Sequence, residues 1–345
     1  MTVTPSGLVA TRYDNDHPGG SWGPGVALPG LSAGQTAVAA TMIQSNYGES
    51  ISGASPHNYG LPGNFEVVAR VAVAGESDRL VSYWRVSRSK TWHGPNAITV
   101  DGAPIDNVTS NPALIQSSIG VRGNFELCVV RGDELYHYSR ENDSSSLAWK
   151  LAAIVADGPI LGLTVRSVAL VRSTYHGGSL EVVARMTPAQ SGPDGDFLAH
   201  ASFAGESWSQ LTLIGADGGP IDGITGNPTF VQGTFGTPGN YEVLVPQGDR
   251  LRHFVRDNSA PGAVWRSAPD PISPPVAVTA VSLLQSDLRH GNFRDPGPGN
   301  LAAVLRQRPQ QRARRPDDQM SLLIRDGASA TWSEEPMNLP PTPLN

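Results

Sequence analysis

Arg172, Tyr175 and His176 fall within one short stretch, VRSTYHGG, and together form a set of side chains able to move a proton beside an anionic group. A guanidinium neutralises a carboxylate while a phenol and an imidazole exchange the proton. Abstraction of a proton α to a uronate carboxyl, or polarisation of a glycosidic oxygen, needs that combination. A second cluster, Arg289, His290 and Arg294, stands in SDLRHGNFRDPG, and His57 stands in SPHNYG. Three imidazoles can hold zinc. Here His57 lies 13 residues after Gln44, His176 four after Arg172 and His290 five after Gln285, so the three are out of register and no metal site is expected. His137, His200 and His253 differ, because each sits two places after Leu135, Leu198 or Leu251. Repetition in register suits a structural or shallow binding role, since catalysis needs one asymmetric site while binding tolerates copies. No GxSxG elbow, HExxH, P-loop or CxxC is present, and no cofactor is expected.

These residues are positioned by a repeat. Gly-Asn-aromatic-Glu stands at Gly63 to Glu66, Gly123 to Glu126 and Gly239 to Glu242, in altered form at Gly178 to Glu181, and as Gly299-Asn300-Leu301. The spacings of the leading glycine are 60, 55, 61 and 60 residues. In the fourth copy Tyr241 to Val245 alternates as a strand, Gly248-Asp249 turns, Leu251 to Arg256 is a second strand, Asn258 to Gly262 turns again, and Trp265 opens a third. Units of about this length made of short strands predict an all-β fold, a β-propeller of about six four-stranded blades. Five blades are complete, with 36–100, 111–155, 166–215, 227–270 and 278–336 as their bounds, and 1–30 is a half blade. The whole chain, 1–345, then reads as one domain. A five-bladed ring with the N-terminal hairpin outside it is the other closure.

The A strands, Ala37 to Gln44, Ala113 to Gln116, Ser167 to Arg172, Thr229 to Gln232 and Val281 to Gln285, end in Gln except where Arg172 replaces it. A repeated Gln is expected to satisfy backbone groups. Trp22, Trp92, Trp149, Trp208, Trp265 and Trp332 each follow a C strand and its turn, as expected of rings stacked between sheets, whereas Trp84 lies within a C strand. The run LAWKLAAIVA from Leu147 has apolar content that a helix would accept, but its Trp149 holds the place of a D strand, so a strand is expected. Long insertions at 49–62, 187–196 and 306–318 alternate with compact copies, which implies a two-blade ancestral unit. Asp101, Asp106, Asp217 and Asp222 belong to Asp-Gly and Gly-Pro turns, and the carboxylates are too sparse for a dedicated calcium site.

The net charge is −6, so no basic field attracts nucleic acid or anionic lipid. Neither partner is expected. Only Lys90 and Lys150 among the 25 basic residues are lysines, a bias typical of a high-GC bacterial genome. Cys128 stands alone in an apolar strand, as a small buried hydrophobe would. No leader or membrane span is legible, so the chain as given reads as cytoplasmic, with secretion by another route left open.

The succession of B strand, Gly-Asp turn, Leu-x-His, polar turn and Trp resembles the bacterial fucose-binding β-propeller lectins and, more loosely, the tectonin and tachylectin repeats. That resemblance implies shallow sugar pockets between blades, carried by Trp92, His137, Trp149, His200, His253 and Trp265, with Arg140 and Arg256 as polar neighbours. Three functional readings follow. One is a non-catalytic carbohydrate-binding propeller, with a glycan or small molecule as ligand. The second is a propeller-type polysaccharide lyase or glycosidase working at one channel mouth through Arg172, Tyr175 and His176, with Arg289 and His290 as a second cluster. The third is a protein-interaction scaffold whose incomplete blade pairs with another strand, including one from a second copy.

Overall fold

The computed structural model describes the chain except residues 5, 12, 15–20, 47–62, 88, 176–177, 190–194, 205, 261, 273–276, 286–298, 308–318, 328 and 337–345. At 13–14, 21–22, 319 and 335–336 only the backbone path is described. His57, His176, Arg289, His290 and Arg294 therefore lie outside the described residues.

The fold is all-β, in the six-bladed arrangement of a β-propeller, and no α-helix occurs among the described residues. The first sheet runs Gln35–Gln44, Phe65–Val73, Arg79–Arg85, Trp92–Ala97. The second has Ala113–Gln116, Phe125–Arg131, Glu134–Arg140 and Trp149–Ala156 as its four main strands. The third has Leu163–Arg172, Leu180–Pro188, Phe197–Ala204 and Ser207–Trp208, and the fourth Thr229–Gln232, Tyr241–Gln247, Arg250–Arg256 and Trp265–Ala268. The fifth is Val278–Gln285, Leu301–Gln307, Gln319–Arg325, Trp332–Pro336. The run from Trp149 is a strand, as its place in the repeat predicts.

The second strand Phe125–Arg131 (FELCVVR) is buried apart from its last residue, so both faces of its apolar run are covered. Cys128 is fully buried within that strand, and burial raises its thiol pKa well above the usual range.

Met1–Ile154 and Val155–Met337 form two compact units. In the first, one core joins Leu8 and Leu28 to Val67, Val71 and Tyr83, and another joins Val68 and Leu80 of the first sheet to Leu127, Tyr138 and Trp149 of the second. In the second unit, Val183 and Leu198 pack with Tyr241, Phe254 and Trp265, and Leu244 and Leu251 with Leu301 and Leu323. Each core thus lies between consecutive sheets rather than inside one.

Glutamines at the ends of the first strands bond backbone groups, as expected from their repetition, and in doing so tie neighbouring sheets together. Gln116 Nε2 donates to Arg122 O at 2.7 Å, and its Oε1 accepts from Asn46 N at 2.8 Å. Gln232 repeats this with Pro238 O at 3.2 Å and Thr174 N at 2.8 Å, and Gln285 with Asn300 O and Thr234 N, both at 3.0 Å.

The alternation of long and compact copies extends to the strands themselves. The first strands of the first, third and fifth sheets carry a bulge, at Ala37/Ala39, Val165/Ser167 and Val278/Ala280. In the second and fourth sheets, Thr99–Val100 and Gly215–Ala216 add to the outer edge by pairing parallel with Trp149 and Trp265. Asp101 and Asp217 turn those edge segments with φ of 51° and 54°, which is the turn role expected of them.

One strand was not legible in advance. The N-terminal hairpin expected from Leu8 gains Thr2–Thr4, which pairs with Gly7–Ala10, and Val26–Ala27 pairs on its other side. Three β-branched residues ahead of Pro-Ser-Gly are enough to make that extra strand.

Candidate functional site

The glutamate of the Gly-Asn-aromatic-Glu motif and the in-register histidine are partners. Glu126 Oε2 is 3.0 Å from His137 Nε2, Glu181 Oε2 is 2.9 Å from His200 Nε2, and Glu242 Oε2 is 2.6 Å from His253 Nε2. Sheet geometry brings them together: His137 pairs with Cys128, His200 with Val183 and His253 with Leu244, each two residues beyond the glutamate on the same face. Glu126 also accepts from Ser117 Oγ at 2.9 Å, and Glu242 Oε1 lies 3.3 Å from Arg325 Nη1 of the next sheet. Burial pushes the Glu181 carboxyl up. Hydrogen bonds from His200, Ser202 and Ser179 outweigh that and hold it below the usual carboxylate range.

The fifth sheet has lost both partners at once, with Ala302 at the glutamate position and Leu322 at the histidine position. The first sheet has lost only one. Glu66 is retained, but Ser82 stands where the histidine would be, opposite Val68. Glu66 is 7% exposed, and burial pushes its carboxyl up to about 7 despite the Arg140 guanidinium and a hydrogen bond with Ser45, which act to lower it.

At that break a cavity of about 730 Å³ opens between the first and second sheets. Trp84 and Trp149 supply aromatic wall, and Glu66, Arg140, Asp101 and Asn96 supply polar groups. Trp84 is held by stacking on His93, with centroids 5.1 Å apart and planes 15° apart. Arg140 is held by three contacts: its guanidinium lies 4.1 Å over the Phe125 ring and 5.9 Å over the Trp149 ring, and its Nε donates to Asn142 Oδ1 at 3.0 Å. Two aromatic faces and a few fixed donors and acceptors make a concave site of the kind that takes a small polar ligand. The fourth sheet has a smaller cavity of about 560 Å³ at the matching turn, lined by Asp217, Trp265 and Arg266.

Of the residues expected to bind ligand, the structure brings Arg140 and Trp149 into the larger cavity. His137 and His253 are each 1% exposed, so the shallow binding role expected of them does not hold: their imidazoles serve buried carboxylates. His200 sits among Phe230, Tyr241 and Trp265, with ring centroids 6.1 to 6.5 Å away. Trp92 packs on the core between the N-terminal and first sheets. Arg256 lies 5.2 Å over Tyr175 and 5.3 Å over Tyr241, which makes it an inter-sheet contact. Arg172 is exposed, and Tyr175 is half-buried with its ring edge-on to Tyr241 at 6.2 Å. Among the described residues no group of three or more His, Cys, Asp or Glu is placed to hold a metal ion.

Glu66, Trp84 and Asn96 were not anticipated. The signal was present in the repeat, since Leu80 is followed two places later by Ser82 where the second, third and fourth copies have histidine.

No family model matches the chain, and no curated protein matches it. Solved structures do. An alpha-L-arabinofuranosidase from Fusarium graminearum in complex with an iminosugar inhibitor is similar over 89% of this chain and 79% of its own, with 12% identity and a TM-score of 0.52. A mutant of that enzyme with an iminosugar inhibitor gives 87%, 77%, 12% and 0.51, and its complex with arabinobiose gives 87%, 77%, 12% and 0.50. What is shared is the fold. At this identity the likeness extends to the β-propeller and no further. These similar structures are glycosidases, whereas the resemblance of the repeat implied fucose-binding lectins.

Proposed function

We propose that this chain is a carbohydrate-directed β-propeller that seats a sugar in the cavity between its first and second sheets. One observation carries the reading: Trp84 and Trp149 converge on one cavity with Glu66, Arg140, Asp101 and Asn96. Indole faces stack on the C–H faces of a pyranose or furanose ring, while fixed carboxyl, guanidinium and amide groups hydrogen-bond its hydroxyls.

Glycoside hydrolysis at this site is the second reading, and it has its own support. The similar propellers are glycosidases, which favours an enzyme over a lectin. Hydrolysis uses a carboxylic acid that stays protonated near neutral pH together with a second carboxyl group. Glu66, pushed up to about 7 by burial, has the first property, and Asp101 lines the same cavity. Glu66 would give its proton to the leaving oxygen as the glycosidic bond breaks, and Asp101 would take a proton from the water that forms the new C–O bond.

Titration calorimetry with neutral oligosaccharides, run alongside an assay for released reducing sugar, tests both readings. Binding that Trp84→Ala weakens supports the cavity as the site. Sugar release by wild type that is abolished in Glu66→Gln supports hydrolysis, and saturable binding without any release supports a lectin. An absence of binding to every glycan tried contradicts the proposal.

A further inference from the structure

We infer that Glu66 is the specificity-determining residue of the cavity and that it takes a hydroxyl of a neutral sugar at the position held by an imidazole nitrogen in the second, third and fourth sheets. The inference rests on the carbohydrate reading above for its ligand class, and on the repeat for its position.

The repeat offers three solutions at one place. In the second to fourth sheets a glutamate and a histidine meet at 3.0, 2.9 and 2.6 Å. In the fifth, Ala302 and Leu322 replace both. In each of these sheets a glutamate faces a histidine or both are absent. The first sheet keeps the glutamate and loses the histidine, the one combination that leaves a buried carboxyl without its repeat partner. An apolar pair was accessible to this sequence, since its own fifth sheet uses one. Glu66 keeps the Ser45 hydrogen bond and the nearby Arg140 guanidinium, and the replacement of an imidazole by the Ser82 side chain leaves the histidine's place open to a donor from outside the chain. Glu66 and Ser82 both line the cavity.

The chemistry of the walls fixes the class of that partner. Glu66 and Asp101 bring two acidic groups, and Arg140 and Lys150 two basic ones, so the cavity is balanced and selects no strongly charged ligand. Glu66 changes protonation near neutrality. A hydroxyl suits both of its states, because it donates to the carboxylate and accepts from the acid. An ammonium group suits only the carboxylate, and a uronate or sialate carboxylate suits only the acid.

The test replaces Ser82 with the residue the repeat uses elsewhere. Wild type, Ser82→His, Ser82→Ala and Glu66→Gln are compared by titration calorimetry against neutral arabino-oligosaccharides, oligogalacturonates and chitosan oligosaccharides. Thermal shift with free imidazole probes the position independently of any sugar. The expected result is binding of the neutral oligosaccharides, weakened at least tenfold in Ser82→His and far less in Ser82→Ala. Imidazole should raise the melting temperature of wild type and not that of Ser82→His or Glu66→Gln. Sugar binding unchanged in Ser82→His overturns the role of Glu66 and leaves the carbohydrate reading standing. Imidazole binding without binding of any sugar supports the donor position and contradicts the carbohydrate reading. Preference for the acidic or the amino sugars, or no response to sugar and imidazole alike, overturns the inference.

Discussion

His137 Nε2 lies 3.0 Å from Glu126 Oε2 in a contact closed to solvent, the side chains being 2% and 1% exposed. Such a pair contributes little net stability but is costly to break from one side, since the survivor is then a buried polar group without its partner. His137→Ala is expected to destabilise the protein by about 3 kcal/mol. The double change Glu126→Ala with His137→Leu copies the Ala302 and Leu322 arrangement and should recover much of that loss. Urea denaturation of the three proteins measures both numbers. A double variant no more stable than His137→Ala would refute the interchangeability of the two solutions.

Glu66 makes stability depend on pH with a definite sign. Below about pH 4.5 the carboxyl is protonated in the folded and the unfolded chain alike and contributes nothing. As pH rises from there to about 7 the unfolded chain releases its proton first, so stability falls. Above that range the full penalty is present, on the order of 3 kcal/mol. Glu66→Gln should therefore be more stable than wild type at pH 8, equal to it at pH 4, and flatter in between. Equal pH slopes in the two proteins would show that Glu66 does not titrate in this range.

Gly123 and Gly239 open the repeat motif where the backbone closes on itself. A β-carbon on either would sit 2.3 Å from a carbonyl oxygen, of Ser117 and Gly233 respectively, and both glycines have positive φ, +71° and +114°. Gly239→Ala is expected to destabilise by about 1–3 kcal/mol or more. Gly219→Ala, where a β-carbon meets nothing within 4 Å, should be close to neutral. Melting temperatures compare them directly.

The two cavity tryptophans should separate under mutation. Trp149 is 9% exposed and belongs to the core between the first and second sheets, so Trp149→Ala should lose about 3–5 kcal/mol of stability as well as binding. Trp84 is only partly buried, and Trp84→Ala should weaken sugar binding about tenfold, as expected for loss of one stacked ring, with a smaller effect on stability. Calorimetry and urea denaturation on both variants decide the matter.

The sequence carried the sheets and their order because every copy of the repeat marks its own turns: Gly-Asn, Gly-Asp and a Trp at matching places. The backbone bonding of Gln116, Gln232 and Gln285 was legible for the same reason, whereas their bonds to the neighbouring sheet were not. The Glu–His pairing was half legible. The histidines fell in register, but the partner glutamate is on another strand, and only antiparallel pairing shows that position two beyond Glu126 faces His137. Thr2–Thr4 was missed because it has no counterpart in the repeat to align with. Glu66 and Trp84 were missed because a single departure, Ser82, is visible only once the register is known.

A crystal structure grown with a neutral oligosaccharide such as arabinobiose tests the central claim most directly. Sugar density is expected between Trp84 and Trp149, with a hydroxyl oxygen within hydrogen-bond distance of the Glu66 carboxyl. Ordered sugar elsewhere on the protein, with this cavity holding only solvent, would contradict it.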